Sequence, residues 1–324
     1  MRRTALNNII GVSPPLVRIL DLVRIIAPKD VKVLIRGERG VGKELVADAI
    51  HGLSDRGNMP FVKINCAALQ KDLFASELFG HVKGSFTGAL STRTGLILFA
   101  DGGSIFLDEI GDLSPDAQGA ILRFLQEGEV RPIGSLQTFR ADVRVIAATN
   151  NNIEEAVEKG NFREDLYDRL NGFCVEVPPL RERKEDIPLL VDHFIKKYNQ
   201  KYDENVKGFT REAMGILLDY PWRGNVRELE NVVSRAVILS QGKRTIGLSQ
   251  IPDILTGEGQ RYLRDSKQAF ILGIIKEKGR TTVKDLHARL GIPDRTIRRH
   301  LREMTQTGLL RAEGSRKSAT YTLT

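Results

Sequence analysis

Cysteine is scarce in this sequence: Cys66 and Cys174 are the two present among 324 residues. Each lies inside an apolar run, the pattern of a buried free thiol in a reducing compartment, and two such residues build no disulfide framework. Histidine is also sparse, and the five histidines are scattered without metal-ligand spacing. No apolar run reaches the length that spans a bilayer. The N-terminal "MRRTALNNIIGVSPPL" lacks the apolar segment and small-residue cleavage site of an export signal. Internal repeats and low-complexity tracts are absent too. These absences exclude disulfide scaffolds, histidine-built metal centres, membrane spans and solenoids, and they lead us to expect a cytoplasmic protein with no membrane partner.

What is present is an ordinary globular composition, 41% hydrophobic and 28% charged, with an uneven charge. Residues 258–324 hold 15 Lys+Arg against 7 Asp+Glu, and the rest of the chain holds 34 of each sign. The whole excess of +8 therefore sits in the C-terminal fifth. A polyanion partner for one small domain is the physical implication.

Between residues 31 and 178 short β-branched runs alternate with helical patterns: "VKVLI", "FVKI", "SIFL", "VRVIAA" and "FCVEV". Such runs predict a parallel sheet covered on both faces, an α/β fold. No further strand signal appears until residue 309. Residues 186–255 read as helices, "TGEGQ" (256–260) as a polar linker, and a compact third unit follows. The predicted division is 1–178, an α/β subdomain; 179–255, helical; 256–261, a linker; and 262–324, the third unit.

"GERGVGKE" (Gly37, Glu38, Arg39, Gly40, Val41, Gly42, Lys43, Glu44) stands between a strand and a helix with the spacing of a phosphate loop. Its glycines let backbone N–H groups wrap a phosphate chain, the helix N-terminus adds positive potential, and Lys43 reaches the β/γ-phosphates. Glu44 stands where Ser or Thr is usual. A second buried strand ends in Asp108-Glu109, where a parallel sheet binds its ligands. Asp108 suits Mg²⁺, and Glu109 suits orientation and deprotonation of an attacking water. A third strand ends in Thr149 and Asn150, polar groups able to position that water. Arg163 and Arg169 bracket a helical stretch and suit phosphate recognition; the competing reading is a surface ion pair with Glu164, Asp165 or Asp168. Arg227 falls in the first turn of a later helix, with Asn225 as its capping candidate.

In this order these pieces resemble the AAA+ ATPases that activate sigma-54 RNA polymerase, over roughly residues 8–255. "GERGVGKELVADAIH" is similar to the family's Walker A region, where glutamate after the lysine is usual, and "FLDE" to its Walker B. The resemblance implies ATP and Mg²⁺ as cofactors and assigns Asn65 as a switch asparagine coupled to Glu109, and Thr149 and Asn150 as sensor I. It makes Arg163 and Arg169 the arginines that reach a neighbouring subunit's nucleotide, and Arg227 sensor II. "GSFTGA" (Gly84, Ser85, Phe86, Thr87, Gly88, Ala89) resembles the signature loop that grips sigma-54. Taken alone, the segment leaves two outcomes open: Phe86 packs inward, or it is offered to a partner. A second loop, around "GEVRPIGS", is expected to support it through Arg131. Ser85 and Val82 depart from the family's usual alanine and glutamate.

The C-terminal unit reads as three helices and a hairpin. In "PDRTIRRHLREMTQTG", Ile297, Leu301 and Met304 fall within about 60° of one another on a helical wheel, and Arg295, Arg298, Arg299 and Arg302 lie about 100–200° from Ile297. This resembles a winged helix-turn-helix whose third helix enters the major groove. Arg295, Thr296, Arg298, Arg299 and Arg302, with Arg316 and Lys317 at the wing tip, are the expected double-stranded DNA contacts. Family members usually end in a wingless helix-turn-helix, so the type of binding site is left open.

The expected architecture is thus an AAA+ P-loop ATPase with a parallel sheet and helical lid, followed by a winged helix. The expected function is an upstream-DNA-binding activator that assembles into a ring, by resemblance a hexamer, and remodels the sigma-54 RNA polymerase holoenzyme closed complex. The AAA+ part begins within about ten residues of Met1 with no receiver domain before it, so control is expected from a trans-acting regulatory protein, expression level or the C-terminal unit. Two rivals stay open: a remodeller of another client, and a repressor whose ATPase part only controls oligomerisation.

Overall fold

A computed structural model describes residues 6, 8–67, 71–86, 88–251, 255, 258–314 and 319–324, with backbone alone for 71–73 and 258–263. Two compact units divide it: Met1–Arg183 with Gly224–Val226, and Lys184–Arg223 with Arg227–Thr324.

In the first unit the five expected runs become strands Val33–Arg36, Phe61–Asn65, Ser104–Asp108, Arg144–Thr149 and Phe173–Glu176. All pair in parallel, and the spatial order places Phe61–Asn65 at one edge, then Ser104–Asp108, Arg144–Thr149, Val33–Arg36 and Phe173–Glu176. Side chains alternate between the faces. Leu34, Ile64, Ile105, Leu107, Val145 and Ala147 join one core with Ile121, Leu166 and Leu170. Val33, Ile35, Phe106, Ile146, Ala148 and Val175 join another with Val23, Val46 and Ile50. The helices supplying these layers include Pro14–Ile26 and Lys43–Leu53 on the second face, and Pro115–Glu127 and Glu164–Leu170 on the first. Cys66 is buried as expected, but Cys174 is exposed, because its strand lies at the sheet edge and buries little beyond Val175.

In the second unit helices Asp186–Tyr202, Arg211–Asp219 and Asn225–Ile238 match the sequence reading, the last entering from the residues grouped with the first unit. Three two-residue strands do not: Gly208–Phe209 pairs with Thr245–Ile246, and Thr281–Thr282 joins the C-terminal sheet. Segments so short carry no detectable period. The helix Glu258–Lys278 also begins inside the stretch read as linker. It is followed by helices Val283–Leu290 and Asp294–Gln306 and by an antiparallel sheet in which Thr320–Leu323 lies between Thr281–Thr282 and Leu310–Glu313. Thr282 and Asp285 form a reciprocal capping box at the start of Val283–Leu290. Ile297, Leu301 and Met304 are buried, as the helical spacing required, and Ile271, Ile275 and Leu286 are buried with them.

Candidate functional site

The phosphate loop occupies the turn between Arg36 and the helix Lys43–Leu53. At Gly37, φ is +150° and an added Cβ would lie 2.7 Å from the Val177 carbonyl oxygen, so any side chain would push the loop off the neighbouring strand end. Arg39 is exposed, as its place in the loop suggested. Lys43 is only 7% exposed. A buried ammonium needs partners: its Nζ donates to the Gly37 carbonyl at 2.9 Å and stands 3.6 Å from Glu109 Oε1. Glu44 pairs with Lys63 at 2.9 Å.

Asp108 and Glu109 end the strand at the same sheet edge. Glu109 takes a left-handed backbone (φ 55°), unusual for a non-glycine residue, and this turns its carboxylate away from strand geometry. Its Oε2 accepts from the Asn150 N–H at 3.0 Å, so Lys43, Glu109 and the end of the Arg144–Thr149 strand form one cluster. Burial, reinforced by the Glu109 charge, holds the Asp108 carboxyl above its ordinary range. Asn65 is paired in register with Asp108, and its Oδ1 accepts from the Ala67 N–H at 3.0 Å. Thr149 Oγ1 accepts from the Asn151 N–H at 3.0 Å. The Asn150 Oδ1 is buried with no hydrogen-bond partner among the described residues. The half-buried Asp108 carboxylate is a hard-oxygen donor, and it fits Mg²⁺ bound by one carboxylate and substrate phosphates. Among the described residues there is no cluster of three His, Cys, Asp or Glu that could hold a metal by itself.

The phosphate loop is also clamped by residues distant in sequence. Asn225, with φ 55° and fully buried, donates from Nδ2 to Glu38 Oε2 and to the Arg39 carbonyl, both at 3.0 Å, while its Oδ1 accepts from the Leu180 N–H at 2.7 Å. Arg181 adds a two-point ion pair to Glu38, and Arg183 donates to the Val41 carbonyl at 2.8 Å. Arg227, in the first turn of Asn225–Ile238, is exposed.

Arg163 is the N-cap residue of Glu164–Leu170, and its guanidinium forks onto Asp165 at 2.9 and 2.7 Å, one of the ion pairs weighed from sequence. Arg169, in the last turn, is exposed and makes no ion pair among the described residues. Neither arginine bonds to the phosphate loop of its own chain among the described residues.

The signature loop lies within the connection between the two strands of the hairpin Gly80–His81/Arg93–Thr94. Thr87 lies outside the described residues. On either side of it the backbone closes on itself: Gly84 N–H donates to the Ala89 carbonyl at 2.9 Å, and Ala89 N–H to the Phe86 carbonyl at 3.0 Å. Phe86 keeps 37% of its surface exposed, and its ring meets His81 edge-on at 5.1 Å between centroids. It thus leans on its own hairpin without entering either core. His81 is fixed beneath it by Ser76 at 2.7 Å.

The second loop touches the first through its backbone at Ile133 and Gly134. The Val82 N–H donates to the Ile133 carbonyl at 3.1 Å, and the Ile133 N–H to the Gly80 carbonyl at 2.9 Å. Gly134 packs against Ser85 and Val82, the two residues that depart from the family pattern. Arg131 is turned into its own loop instead, donating from Nε to the Ser135 carbonyl at 2.8 Å, because that carbonyl is four residues away and within easy reach. Leu90 and Leu136, not singled out by the sequence, are 85% and 93% exposed.

In the C-terminal unit Arg295, Thr296, Arg298, Arg299 and Arg302 line one shallow depression on the outer face of Asp294–Gln306, opposite buried Ile297, Leu301 and Met304. Arg316 and Lys317 lie outside the described residues. His300 is buried on the inner face, and burial, then the Arg299 charge, hold its imidazole below its ordinary pKa.

Three family models match successive stretches of the chain. Residues 9–176 match the sigma-54 interaction domain, 181–268 an AAA+ ATPase lid domain, and 270–311 a winged helix-turn-helix DNA-binding domain. The transcriptional regulatory protein ZraR of Salmonella typhimurium is 46% identical over 298 residues, covering 90% of this chain and 67% of that protein. The nitrogen fixation protein AnfA of Azotobacter vinelandii is 52% identical over 234 residues, 72% of this chain and 44% of its own length. The crystal structure of NtrX from Brucella abortus, solved also with ADP and with ATP, superposes with a TM-score of 0.71 at 30% identity, covering 93% of this chain and 70% of that one. This chain belongs to the sigma-54-dependent transcriptional activators, with an AAA+ domain and a C-terminal winged helix-turn-helix.

Proposed function

We propose that the chain hydrolyses ATP at a site built on Lys43, Asp108 and Glu109 and spends the resulting movement on sigma-54 through the 84–89 loop. The observation that carries this reading is the 3.6 Å approach of Lys43 to Glu109, with Glu109 also fixed by the Asn150 N–H. The Gly37–Glu44 loop wraps the phosphates and Lys43 neutralises them. Glu109 orients the attacking water and accepts its proton, and Asn65, Thr149 and Asn150 align it. Asp108 would hold Mg²⁺, which when bound neutralises phosphate charge. Arg163 and Arg169 are supplied to the neighbouring subunit of a ring, by family precedent a hexamer, and Arg227 acts as sensor II. The exposed face of Arg169 and the surface position of Arg163 support this role.

The movement reaches Gly84–Ala89 through the contacts of Val82 and Ser85 with Ile133 and Gly134. Burying one phenylalanine is worth about 1.5–3 kcal/mol, so a single Phe86 grips weakly. Several loops around a ring add through effective concentration. The arginine face of Asp294–Gln306 holds the ring to double-stranded DNA upstream of the promoter.

The test is a purified transcription assay with sigma-54 polymerase and ATP. Glu109→Ala should bind ATP without turning it over. Phe86→Ala and Thr87→Ala should hydrolyse ATP without activating transcription; activation at the wild-type level by either loop variant contradicts the reading.

A further inference from the structure

The end of the strand that leads into the phosphate loop is tied to the helix that carries both arginines, and nothing in the motifs requires it. Arg36 is the last residue of Val33–Arg36 and is paired in register with Thr149 on one side and Glu176 on the other. Its Nη2 donates to Glu154 Oε2. Glu154 lies at the start of the helix Ile153–Glu158, four residues after Asn150. The other carboxylate oxygen, Oε1, accepts from the Tyr167 hydroxyl at 2.7 Å. Tyr167 lies in Glu164–Leu170, and its hydroxyl also accepts from Asn171 Nδ2 at 3.1 Å at that helix's C-terminal end. The Arg36 guanidinium stands 6.0 Å from the centre of the Tyr167 ring, within cation–π range.

Both oxygens of Glu154 are thus occupied, one by each neighbouring element. The Arg36 hydrogen bond is the largest influence holding its carboxyl down, at about 2, so it stays ionised throughout the working range. The N-terminal end of the same arginine helix is pinned separately, where the Arg163 N–H donates to Gln118 Oε1 at 2.9 Å. Gln118 in turn donates to the Leu113 and Asn161 carbonyls, both at 3.0 Å. Glu164–Leu170 is therefore held at its N-terminal end by Gln118 and at its middle residue, Tyr167, by Glu154, which leads on to the residue preceding Gly37.

We infer that Arg36, Glu154 and Tyr167 form a positioning network that sets the arginine helix, and with it Arg169, against the phosphate-loop strand. The inference rests on the proposed role of Arg163 and Arg169 in ATP turnover. None of the three belongs to the phosphate loop or to the residues assigned to catalysis; they act through the helix. The chemistry suits the task. A carboxylate shared by a guanidinium and a phenol fixes direction on both sides, whereas a single ion pair between exposed side chains fixes little.

The experiment measures steady-state ATP turnover by assembled rings of the full chain. Glu154→Gln, which keeps shape and removes charge, should lower kcat on the order of tenfold to a hundredfold with KM for ATP unchanged. Tyr167→Phe, which keeps the ring and its packing, should lower kcat less, and Arg36→Lys should retain more activity than Arg36→Ala. The decisive readout is the double variant: Glu154→Gln with Arg169→Ala should be no slower than Arg169→Ala alone, because the network acts through that side chain. Fully additive losses, or a rise in KM with kcat unchanged, overturn the inference. The underlying reading is checked apart from it by mixing Arg169→Ala subunits with Lys43→Ala subunits. Restored turnover in mixed rings supports arginine supply between subunits. Its absence removes that reading while leaving the double-variant result to decide whether the network serves Arg169.

Discussion

Ser85 and Gly134 face each other across two loops so closely that a Cβ placed on Gly134 would lie 2.6 Å from the Ser85 Cβ. Gly134 also has φ +74°, where an alanine costs about 1–2 kcal/mol. Gly134→Ala should therefore part the loops. Turnover of ATP should persist while transcription activation falls, and trypsin should cleave faster after exposed Lys83. Unchanged cleavage and unchanged activation would show that the contact has no mechanical role.

The buried His300 makes a signed prediction about pH. Its imidazole is held below the ordinary histidine value, 6.5, by burial first and then by Arg299, with smaller contributions from Lys267 and Arg264 and opposition from Glu303. The unfolded chain then binds a proton that the folded one refuses, so the stability His300 contributes is full above about pH 6.5 and is lost as pH falls below it. Thermal melts of wild type should show a loss between pH 7 and 5 that His300→Leu reduces. His51 is shifted in the same direction, again by burial first, and supplies a remaining slope. An identical pH dependence in the variant would rule out His300 as a contributor.

For DNA, the cationic face of Asp294–Gln306 sets the expectation. Arg299→Ala and Arg302→Ala should each weaken binding, and each lost phosphate contact should reduce the slope of log affinity against log salt by about 0.9. An arginine that reads a base edge should instead relax sequence preference with little change in slope. A variant that alters neither quantity removes that residue from the interface.

The clamp on the phosphate loop gives a further expectation. Asn225→Ala removes donors to Glu38 and Arg39 and the acceptor for Leu180. Leaving buried partners unsatisfied costs about 1–3 kcal/mol per group, so the variant should melt lower and bind ATP more weakly. Wild-type affinity for ATP in Asn225→Ala would assign the residue to folding alone.

Much of this was legible in the sequence where chemistry sits in a contiguous motif. Lys43, Asp108 and Glu109 were placed by a loop and a strand end, and the five runs that form the sheet are continuous because both faces are buried. Cys174 was misjudged because an apolar run does not reveal which strand becomes an edge. Proximity of the two loops could be expected from sequence, but not that backbone at Ile133 and the bare Cα of Gly134 take part in the contact. The clamp of Asn225 on Glu38 joins residues 187 apart, and Arg36 meets Glu154 across 118 positions, separations that no local pattern reports. For Phe86 the sequence allows packing inward or presentation to a partner, and the structure gives an intermediate outcome: a ring resting on His81 with more than a third of its surface free.

That ring is where the account is most exposed to test. A photo-reactive phenylalanine at position 86 should be placed in rings incubated with sigma-54 polymerase, promoter DNA and either no nucleotide, ADP, or a mimic of the hydrolysis transition state. Crosslinks to sigma-54 should appear with the mimic and be weak without nucleotide. Crosslinks confined to the chain's own His81 region in every nucleotide state would contradict this expectation.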